Sequence, residues 1–397
     1  MPQKPKLLLV TKLYHPWIGG VEKHVQDLAE GLAKDFADDF GVKVLCCDER
    51  PSFSSLFEIS NLKFEMIGGI PVYKAPSLGR LWSMPISPAF PFWLKKLSKE
   101  ADIVHFHLPF PLAVFSYWLL RVFNLKSQIS NFKLVATWHS DIVRQKLAAL
   151  LLAPWTRWFL KQTDRIIVTS NNLLKNSPSL RDFKDKCSVI YLGIKIEDFA
   201  ATPEVVSKAE TIRKTHGNKP ILLFVGRLVP YKGLKYLLEA MSMLESEAKL
   251  LIIGEGPLRA RLEQQAKKLG LNGKVSFLGA LKGQNLVPYY HACDVFVLPS
   301  ITNNEAFGLV QLEAMACGKP VINTNLPTGV SEASLDSQSG LTIPFIDAES
   351  LNKAIEKIIT NEMLKTKFGQ TARQRAEKFF SIKQMFTTTT LLYHQVL

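Results

Sequence analysis

The chain lacks the cysteine pattern of a disulfide-stapled domain or a structural zinc module. Its five cysteines, Cys46, Cys47, Cys187, Cys293 and Cys317, are scattered along the sequence and never spaced as a CxxC pair. Disulfide frameworks and zinc ribbons need paired cysteines at regular spacings. We therefore exclude both classes and expect a protein of a reducing, cytoplasmic compartment.

Long apolar segments are also missing. The N-terminal run Leu7–Val10 is shorter than the core of a signal peptide and instead predicts a first buried strand. The most apolar stretch, 108–123, contains two prolines and Arg121. It is also shorter than the roughly 20 residues that a spanning helix needs. We expect no transmembrane segment, so membrane contact would be peripheral, at the inner face of the cell membrane.

Acidic residues are in deficit. The chain has 49 lysines and arginines against 35 aspartates and glutamates, which gives a formal net charge of +14. Such a surplus attracts polyanions, namely nucleic acid, phosphorylated substrates or anionic lipid, and a basic surface without a partner is the plainer alternative. The lysines are spread out and no nucleic-acid fold signature is present. We therefore expect no nucleic-acid partner and carry that class only as a rival.

The chain does contain an alternation of strand-like and helical patterns. The strand candidates are rich in Leu, Val and Ile and do not alternate in polarity, which is typical of strands buried on both faces of a parallel sheet. They are 6–11, 42–47, 102–106, 133–137, 165–169, 187–191, 220–225, 249–253, 274–278, 294–298 and 319–323. Helical patterns lie between them at 21–36, 233–244, 257–268 and 349–359. The alternation predicts an α/β architecture with crossover helices.

The strand candidates fall into two series, and a length of 397 residues suits two domains. Polar residues 194–219 predict a linker, and the run 220–225 beyond it looks like the first strand of a second domain. We therefore predict an N-terminal domain over 1–193 and a C-terminal domain over 194–375. Residues 376–397 form an amphipathic helical pattern with few breakers.

Two glycine-containing turns follow the first strands of these predicted domains. Gly19 and Gly20 open a helix, where glycine lets backbone amides approach an anion closely; a plain turn is the alternative. Arg227 and Lys232 follow the strand 220–225, at the edge where open α/β sheets bind ligands. Together they can neutralise a diphosphate leaving group, although solvated basic loop residues would give the same pattern.

Two carboxylates frame a further candidate site. Glu305 precedes a glycine-containing turn, and Glu313 is predicted to lie two turns into the following helix. The backbone amides between them, which can hold a phosphate at a helix N-terminus, belong to Ala306, Phe307, Gly308, Leu309 and Val310. Carboxylates accept hydrogen bonds from hydroxyls, so one can hold a transferred sugar and the other a ribose. The plainer alternative is a helix-start charge at Glu305 and a buried cap partner at Glu313.

As a set, these motifs resemble the retaining glycosyltransferases of family 4, which have the GT-B fold. The resemblance runs through nearly the whole chain, with the order and spacing of the motifs intact. The motifs are Glu305 with Glu313, Gly226-Arg227 with Lys232-Gly233, Gly254-Glu-Gly-Pro257 and Gly19-Gly20. The resemblance implies an α/β fold of two Rossmann-like domains with parallel sheets facing a central cleft. It also implies that the C-terminal helix, 376–397, crosses back to the first domain.

The resemblance implies roles for the charged residues. Arg227 and Lys232 match the residues that hold the donor diphosphate, and Gly254 matches a loop that follows a strand nearby. Glu313 matches the carboxylate on the ribose hydroxyls, and Glu305 matches the one that contacts the donor sugar. The implied donor site therefore lies mainly in the C-terminal domain.

A histidine and two further segments extend the resemblance. His139, in Thr137-Trp-His-Ser-Asp141, matches the active-site histidine of the N-terminal domain, although a lone histidine after a strand is otherwise more often structural. The segments 138–141 and 323–329 look most like members that act on mannose or rhamnose in bacterial surface polysaccharides. One departure is Asp336-Ser-Gln-Ser-Gly340, where many relatives read Asp-Gly-x-Thr-Gly.

The reaction implied is retaining transfer of a hexose from a GDP- or UDP-linked sugar to a lipid-linked or oligosaccharide acceptor. The nucleotide sugar is a co-substrate, and no other cofactor is expected. No Asp-x-Asp motif is suitably placed for a divalent ion, since Asp38 and Asp39 fall at a helix end. We therefore predict no metal requirement. The alternative enzyme is a nucleotide-sugar epimerase of the same architecture, which would need no acceptor.

Aromatic residues stand beside lysines in the segment 82–96. The aromatic residues are Trp82, Phe90, Phe92 and Trp93, and Lys95 and Lys96 follow them. Exposed aromatic rings next to lysines suit an anionic membrane interface, so we hypothesise that this segment docks on the membrane. For the apolar run 112–123, a buried core helix is the simpler explanation.

Overall fold

The first strand of each sheet forms where the sequence is continuously apolar, because such side chains can be buried on both faces of a sheet. Leu7, Leu8, Leu9 and Val10 are each at most 1% exposed, and the strand Ile221–Val225 is buried throughout. The computed structural model of the protein describes residues 4–16, 19–51, 62–81, 84–122, 132–141 and 146–397.

Strands and helices alternate along the described chain, as the sequence patterns predict. Up to residue 190 the elements are β1 (Lys6–Val10), α1 (Gly20–Asp35), β2 (Gly41–Pro51), β3 (Phe64–Ile67), β4 (Ile70–Ser77), β5 (Arg80–Leu81), β6 (Met84–Pro85), α2 (Phe90–Ser98), β7 (Ile103–Leu108), α3 (Pro111–Val122), β8 (Lys133–Trp138), α4 (Lys146–Gln162), β9 (Arg165–Val168), α5 (Asn171–Asn176) and β10 (Cys187–Val189). Beyond residue 200 they are α6 (Pro203–Thr215), β11 (Ile221–Val225), α7 (Leu234–Ser242), β12 (Lys249–Ile253), α8 (Arg259–Lys268), β13 (Val275–Gly279), α9 (Val287–Ala292), β14 (Val295–Leu298), α10 (Leu309–Ala316), β15 (Val321–Thr324), α11 (Val330–Ala333), β16 (Gly340–Ile343), α12 (Ala348–Ile359), α13 (Glu362–Phe379) and α14 (Ile382–Val396).

The chain forms two units. Unit 1 comprises Met1–Thr169, Ser177–Ile190 and Phe386–Leu397, and unit 2 comprises Ser170–Asn176 and Tyr191–Met385. Each unit contains one large sheet with helices as the connections between its parallel strands, which is the doubly wound α/β arrangement. The predicted α/β fold class is confirmed.

The sheet of unit 1 has the strand order β10-β9-β8-β7-β1-β2-β4-β3. All its pairings are parallel except that of β3 with β4. The chain builds outward from β1 to one side through β2 and β4, and then to the other side through β7 to β10. The carboxyl ends of β1 and β7 therefore flank a topological switch point, where open sheets of this kind bind ligands.

The sheet of unit 2 has the order β13-β12-β11-β14-β15-β16, and all its pairings are parallel. The first strand, β11, lies between β12 and β14, so the order reverses there. This is the doubly wound order of a dinucleotide-binding sheet, with its switch point between the carboxyl ends of β11 and β14.

The antiparallel hairpin of β3 and β4 is absent from the sequence-based strand set. Its turn is Gly68-Gly69, and both glycines have positive φ, 59° and 80°. Two such residues suit the two-residue turns whose twist matches that of paired strands. The Gly-Gly pair is the sequence signal that would have predicted this hairpin.

The predicted linker 194–219 is wrong over much of its length. Residues 203–215 form α6, which begins with Pro203 as its first residue. The hydroxyl of Thr202 accepts a hydrogen bond from the N–H of Val205 and so caps the helix. Threonine followed by proline is a typical helix start, and here it outweighs the polar composition that suggested a linker.

The C-terminal pattern 376–397 is two helices and not one. Helix α13 ends at Phe379 and α14 begins at Ile382, and the fully buried Phe380 lies at the break. The last helix contributes to the core of unit 1, where a Cβ added at Gly31 of α1 would lie 2.0 Å from the ring of Phe386. Removing a ring from such a core costs about 3–5 kcal/mol, so α14 stabilises unit 1 substantially.

Candidate active site

Two glycine loops lie against each other at the carboxyl edge of the unit 2 sheet. Gly226 follows β11 and Gly254 follows β12, with φ angles of 152° and 143°. A Cβ at Gly254 would lie 1.9 Å from the carbonyl oxygen of Gly226, so only glycine permits this backbone contact. The N–H of Leu228 donates to the carbonyl of Glu255 at 2.9 Å, which fixes the two loops together.

Lys232 and Glu305 meet at the switch point of this sheet. Lys232 follows β11 and Glu305 follows β14, and the Lys232 Nζ atom lies 2.5 Å from an oxygen of the Glu305 carboxylate. The two side chains are only 9% and 10% exposed. The Ser300 hydroxyl donates to the same carboxylate oxygen at 3.0 Å. The sequence predicts both charged residues at the site but not their pairing, and Ser300 was not predicted at all.

Arg227 differs from Lys232 in its surroundings. Its side chain is exposed, and it directly follows Gly226 at the end of β11. An exposed guanidinium at this edge can reach an anion in solvent and form two parallel hydrogen bonds to it. Unit 2 therefore has one buried cation and one exposed cation after the same strand.

Glu313 is held by a buried tyrosine. It is the fifth residue of α10, so it lies one turn into the helix and not the predicted two. The hydroxyl of Tyr290 donates to its carboxylate at 2.6 Å. Burial, and then the charge of Glu313, raise the pKa of Tyr290 well above its ordinary value, so the tyrosine stays a hydrogen-bond donor. Tyr290 was not among the site residues predicted from the sequence.

The turn of Ala306, Phe307, Gly308, Leu309 and Val310 leads into α10. Gly308 is the N-cap and has a φ of 73°, and Leu309 is the first helical residue. The first backbone N–H groups of a helix have no acceptor within it, so they are available to an anion. The structure therefore places these amides at a helix N-terminus, as predicted from sequence, on the same loop as Glu305.

A network of buried side-chain amides holds this turn in place. The Gln311 side chain donates to the carbonyl of Phe307 at 2.6 Å, and Asn323 donates to the Gln311 side-chain oxygen at 3.2 Å and to the carbonyl of Val330 at 2.8 Å. Both amide side chains are at most 1% exposed. Asn323, which opens the segment that resembles mannose- and rhamnose-specific enzymes, therefore acts here as a packing residue.

In unit 1, Gly19 and Gly20 follow β1 at the start of α1. Gly19 is the N-cap, with extended φ and ψ of −143° and 170°, and Gly20 is the first helical residue. Among the described residues, a Cβ at Gly20 would meet nothing within 4 Å. The predicted helix start after the first strand is thus observed.

His139 directly follows β8 and is one of several buried histidines in unit 1. Its backbone N–H donates to the carbonyl of Leu108, and its Nε2 atom lies 3.2 Å from Nδ1 of His107 on β7. The ring of His24, on α1, packs edge-on against both, with centroid distances of 5.6 Å to His107 and 5.1 Å to His139. His24 and His107 were not predicted; the pattern His105-x-His107 on one buried strand was the available signal.

His105 packs beside His107 but has hydrogen-bond partners of its own. Its Nδ1 lies 2.6 Å from the Tyr393 hydroxyl of α14, and its Nε2 lies 2.7 Å from the Thr137 hydroxyl. Burial lowers the pKa of His105 to about 3 and that of His24 to about 4. Burial likewise lowers the pKa values of His107 and His139 well below their ordinary range. All four imidazoles are therefore neutral at neutral pH.

The predicted exposure of the aromatic residues in 82–96 is largely wrong. Phe90 and Trp93 are 0% and 2% exposed because they lie on the inner face of α2, and only Phe92 is exposed, at 58%. Trp82 lies outside the described residues. Lys95 is half-buried and Lys96 is exposed. The helix is amphipathic, so two of its three aromatic residues belong to the core.

Comparison with solved structures identifies the fold. HepE from Anabaena, solved in complex with UDP, superposes with a TM-score of 0.78 over 98% of this chain and 100% of its own, at 21% sequence identity. This likeness shows the fold, which is GT-B.

No helix in the ranges that the structure describes combines the length and apolar character needed to cross a bilayer.

Sequence comparisons show the family. Residues 18–198 match the model of Glycosyltransferase Family 4, and residues 207–375 match that of Glycosyl transferases group 1. The chain is 30% identical to O-antigen chain mannosyltransferase C of Escherichia coli over 99% of both chains. It is 29% identical to the D-rhamnosyltransferase WbpZ of Pseudomonas aeruginosa, over 92% of this chain and 89% of that one. The chain belongs to the group 1, family 4 glycosyltransferases and is a glycosyltransferase.

Proposed function

We propose that the protein transfers mannose, or a closely related hexose, from a GDP- or UDP-linked donor with retention of anomeric configuration. The acceptor is a lipid-linked or oligosaccharide intermediate of a bacterial surface polysaccharide or glycolipid. The names of the relatives from E. coli and P. aeruginosa support the sugar class and the pathway. The observation that carries the proposal is the buried pair of Lys232 and Glu305 at the unit 2 switch point.

The donor diphosphate is proposed to bind beside this pair. The leaving diphosphate gains negative charge as the anomeric bond breaks, so cations and backbone amides aimed at it stabilise the transition state. Arg227, Lys232 and the amides of Phe307–Leu309 supply such groups after β11 and at the start of α10. HepE, which shares the fold, was solved in complex with UDP, and this supports a nucleotide diphosphate as part of the proposed donor.

We propose that each member of the ion pair takes a different partner when the donor binds. Lys232 and Glu305 neutralise each other where few waters reach them, which avoids leaving either charge buried alone. An incoming diphosphate offers Lys232 a second anion, and the Glu305 carboxylate is then available to hydroxyls of the transferred sugar. Glu313, held by Tyr290, is proposed to accept hydrogen bonds from the ribose.

Metal independence is part of the proposal, and the charges at this site support it. Two basic side chains and a helix N-terminus supply positive potential of the kind that a divalent ion supplies in other transferases. His139 is proposed, on the family resemblance, to serve the reaction as a neutral hydrogen-bonding group, because its imidazole is buried and uncharged. The glycosyl transfer would proceed through an oxocarbenium-like state.

A transfer assay tests the proposal directly. Purified protein would be given GDP-mannose and a panel of GDP- and UDP-linked sugars with a lipid-linked acceptor fraction, and the anomeric configuration of the product would be determined. We expect one donor to be consumed with retention. A product of inverted configuration contradicts the mechanism. An isomerised sugar formed from donor alone would favour the epimerase alternative.

We also propose that unit 1 docks on an anionic membrane. Apolar side chains on neighbouring parts of α2, α3 and α4 are exposed or half-buried, and we call them the apolar face. They are Phe92, Phe115, Trp118, Leu119, Val122, Leu150, Leu151 and Trp155. Leu150 and Leu151 are 71% and 69% exposed, which is unusual for adjacent leucines and typical of an interaction surface.

The apolar face is continuous. The ring of Trp155 lies 5.3 Å from that of Phe115 and 5.9 Å from that of Trp118, which joins α4 to α3. An apolar groove of about 540 Å³ joins α3 to α2 and is lined by Leu112, Phe115 and Phe92.

Basic residues complete the surface. Lys95, Lys96 and Lys99 lie at the end of α2, and Arg121 lies near the end of α3. Apolar and aromatic side chains beside basic ones suit the headgroup region of an anionic bilayer, where a lipid-linked acceptor would be found. The bilayer is therefore the partner proposed for this face, and α3 and α4 contribute more to it than the segment 82–96 suggested.

A further inference from the structure

We propose that His24, His107 and His139, here called the His triad, form a binding site for one Zn²⁺ ion, and that its occupation inhibits glycosyl transfer. The inhibitory half rests on the proposed role of His139; the binding half does not. One ring nitrogen from each histidine lies within 4.8 Å of the other two. Within the described ranges, no other group of three histidine, cysteine, aspartate or glutamate residues meets this spacing.

The distances come close to those of a coordination sphere. Zinc binds imidazole nitrogen at about 2.0–2.1 Å in tetrahedral sites, which separates two ligand nitrogens by roughly 3.4 Å. Nδ1 of His107 and Nε2 of His139 are already 3.2 Å apart. The third nitrogen, from His24 on α1, lies within 4.8 Å of both, and His24 is less completely buried than the other two.

The triad also has an unsatisfied polar atom. Nε2 of His107 is buried and has no hydrogen-bond partner among the described residues. An imidazole gives an ion only one of its two nitrogens, so a ring that binds through Nδ1 carries its hydrogen on Nε2. That tautomer of His107 leaves a lone pair on Nδ1, the atom that faces His139, for a metal ion.

Neighbouring contacts hold the triad in place. The ring centroid of His105 lies 4.4 Å from that of His107, and the two ring nitrogens of His105 are hydrogen-bonded to the hydroxyls of Tyr393 and Thr137. Partners of this kind orient a metal-binding ring before the ion arrives.

The donor set selects the class of ion. Three imidazole nitrogens suit Zn²⁺, Co²⁺, Ni²⁺ and Cu²⁺, whereas Mg²⁺ and Ca²⁺ require oxygen ligands. Zinc binding is thus compatible with transfer that needs no divalent ion. An ion held by His139 occupies a lone pair of this residue, which is proposed to serve the reaction. An enzyme with zinc bound at the triad is therefore inhibited.

The test uses the full chain, freed of metal by dialysis against a chelator. Co²⁺ would be added and the visible d–d absorption of tetrahedral cobalt recorded, followed by displacement with Zn²⁺ and by elemental analysis. The variants are His24→Ala and His107→Ala, and the matched control is His394→Ala, which removes an exposed histidine of the same unit. Thermal melts establish that each variant is folded.

We expect one ion per chain in the wild type and in His394→Ala, and at least tenfold weaker binding in both triad variants. Zn²⁺ should inhibit wild-type transfer, excess chelator should restore it, and the ratio of rates with and without Zn²⁺ should approach one in His24→Ala. Absence of Co²⁺ and Zn²⁺ binding, or equal binding by all four proteins, overturns the site. Binding at the triad that leaves transfer unchanged overturns the inhibitory half. A protein that transfers no sugar under any condition contradicts the proposed function, while the cobalt spectrum still decides the site.

Discussion

The Nζ atom of Lys232 lies 2.5 Å from a carboxylate oxygen of Glu305, and each side chain is about one-tenth exposed. The two residues follow β11 and β14, the strands between which the order of the unit 2 sheet reverses. Charges withdrawn from water in this way are retained only when each compensates the other. The pair therefore links the stability of unit 2 to the chemistry proposed for its edge.

Glu305→Gln should affect both stability and transfer. The neutral amide leaves Lys232 buried without its counter-charge, and breaking such a pair costs about 3–5 kcal/mol. We expect a lower unfolding midpoint and a fall in kcat on the order of 10²-fold, the size typical of losing one preorganised electrostatic group. Chemical denaturation and steady-state kinetics measure the two effects.

A double variant separates these effects. Lys232→Met/Glu305→Gln removes both charges, so most of the lost stability should return while transfer stays low. A double variant that regains transfer along with stability would contradict the catalytic role of the pair. Unchanged kinetics in Glu305→Gln would remove the assignment of the donor sugar contact.

Glu313→Gln should weaken donor binding more than it slows chemistry. Hydrogen bonds to a charged group contribute about 1.5–3 kcal/mol, so the donor's Kd should rise by about tenfold or more. Isothermal titration with the nucleotide sugar measures this. The matched control is Tyr290→Phe, which keeps the carboxylate and removes only the hydroxyl that donates to it. Equal affinities for wild type and Glu313→Gln would exclude the ribose contact.

Arg227→Ala and Lys232→Ala should each lower kcat on the order of 10²-fold by removing transition-state charge stabilisation. Only Lys232→Ala should also lower stability, because it leaves Glu305 buried and unpaired, whereas Arg227 is exposed. Lys235→Ala, at an exposed lysine of the following helix, is the control.

Transfer by the metal-free protein should persist in EDTA. Loss of transfer in EDTA, with recovery on adding Mg²⁺ or Mn²⁺, would disprove metal independence.

Membrane docking should depend on both parts of the unit 1 surface. Leu150→Ser/Leu151→Ser removes exposed apolar area, and Lys95→Glu/Lys96→Glu reverses charges that contribute about 1 kcal/mol each near an anionic surface. Both variants should co-sediment less with anionic liposomes, and raising the salt should release the wild type. Met363→Ser, at an 84% exposed side chain of unit 2, is the control. Equal partitioning into neutral and anionic vesicles, or none, would favour a soluble acceptor.

Asp294 should make unit 2 sensitive to acid. Burial alone would raise the pKa of Asp294, but hydrogen bonds from Lys365 and the N–H of Ile221, both at 2.8 Å, lower it below its ordinary value near 3.8. A depressed carboxyl pKa stabilises the fold at pH above roughly 4, and that stability is lost as the pH falls through the folded-state value. As the pH is lowered from 6, the denaturant concentration at the unfolding midpoint should therefore fall more steeply in wild type than in Asp294→Asn. Parallel curves would contradict the assignment.

Local patterns predicted most of the fold. The runs at 249–253 and 133–137 lie within one residue of the strands observed, because continuous apolar sequence suits a strand buried on both faces. The helix of 203–215 has a polar exposed face, so its composition indicates a linker, whereas its cap at Thr202 indicates a helix start. Burial of Phe90 and Trp93 depended on which face of α2 meets the sheet, which aromatic composition alone does not encode.

The sequence by itself determined the α/β class, the two strand series and the charged residues that follow β11 and β14, because these depend on neighbours in the chain and on short, regular spacings. Only the tertiary structure decided that Lys232 pairs with Glu305, that Tyr290 holds Glu313 and that three histidines from α1, β7 and the end of β8 meet in one place. Such contacts join residues far apart in the chain. They depend on strand order and register, which are set by the packing of the whole sheet and not by any local pattern.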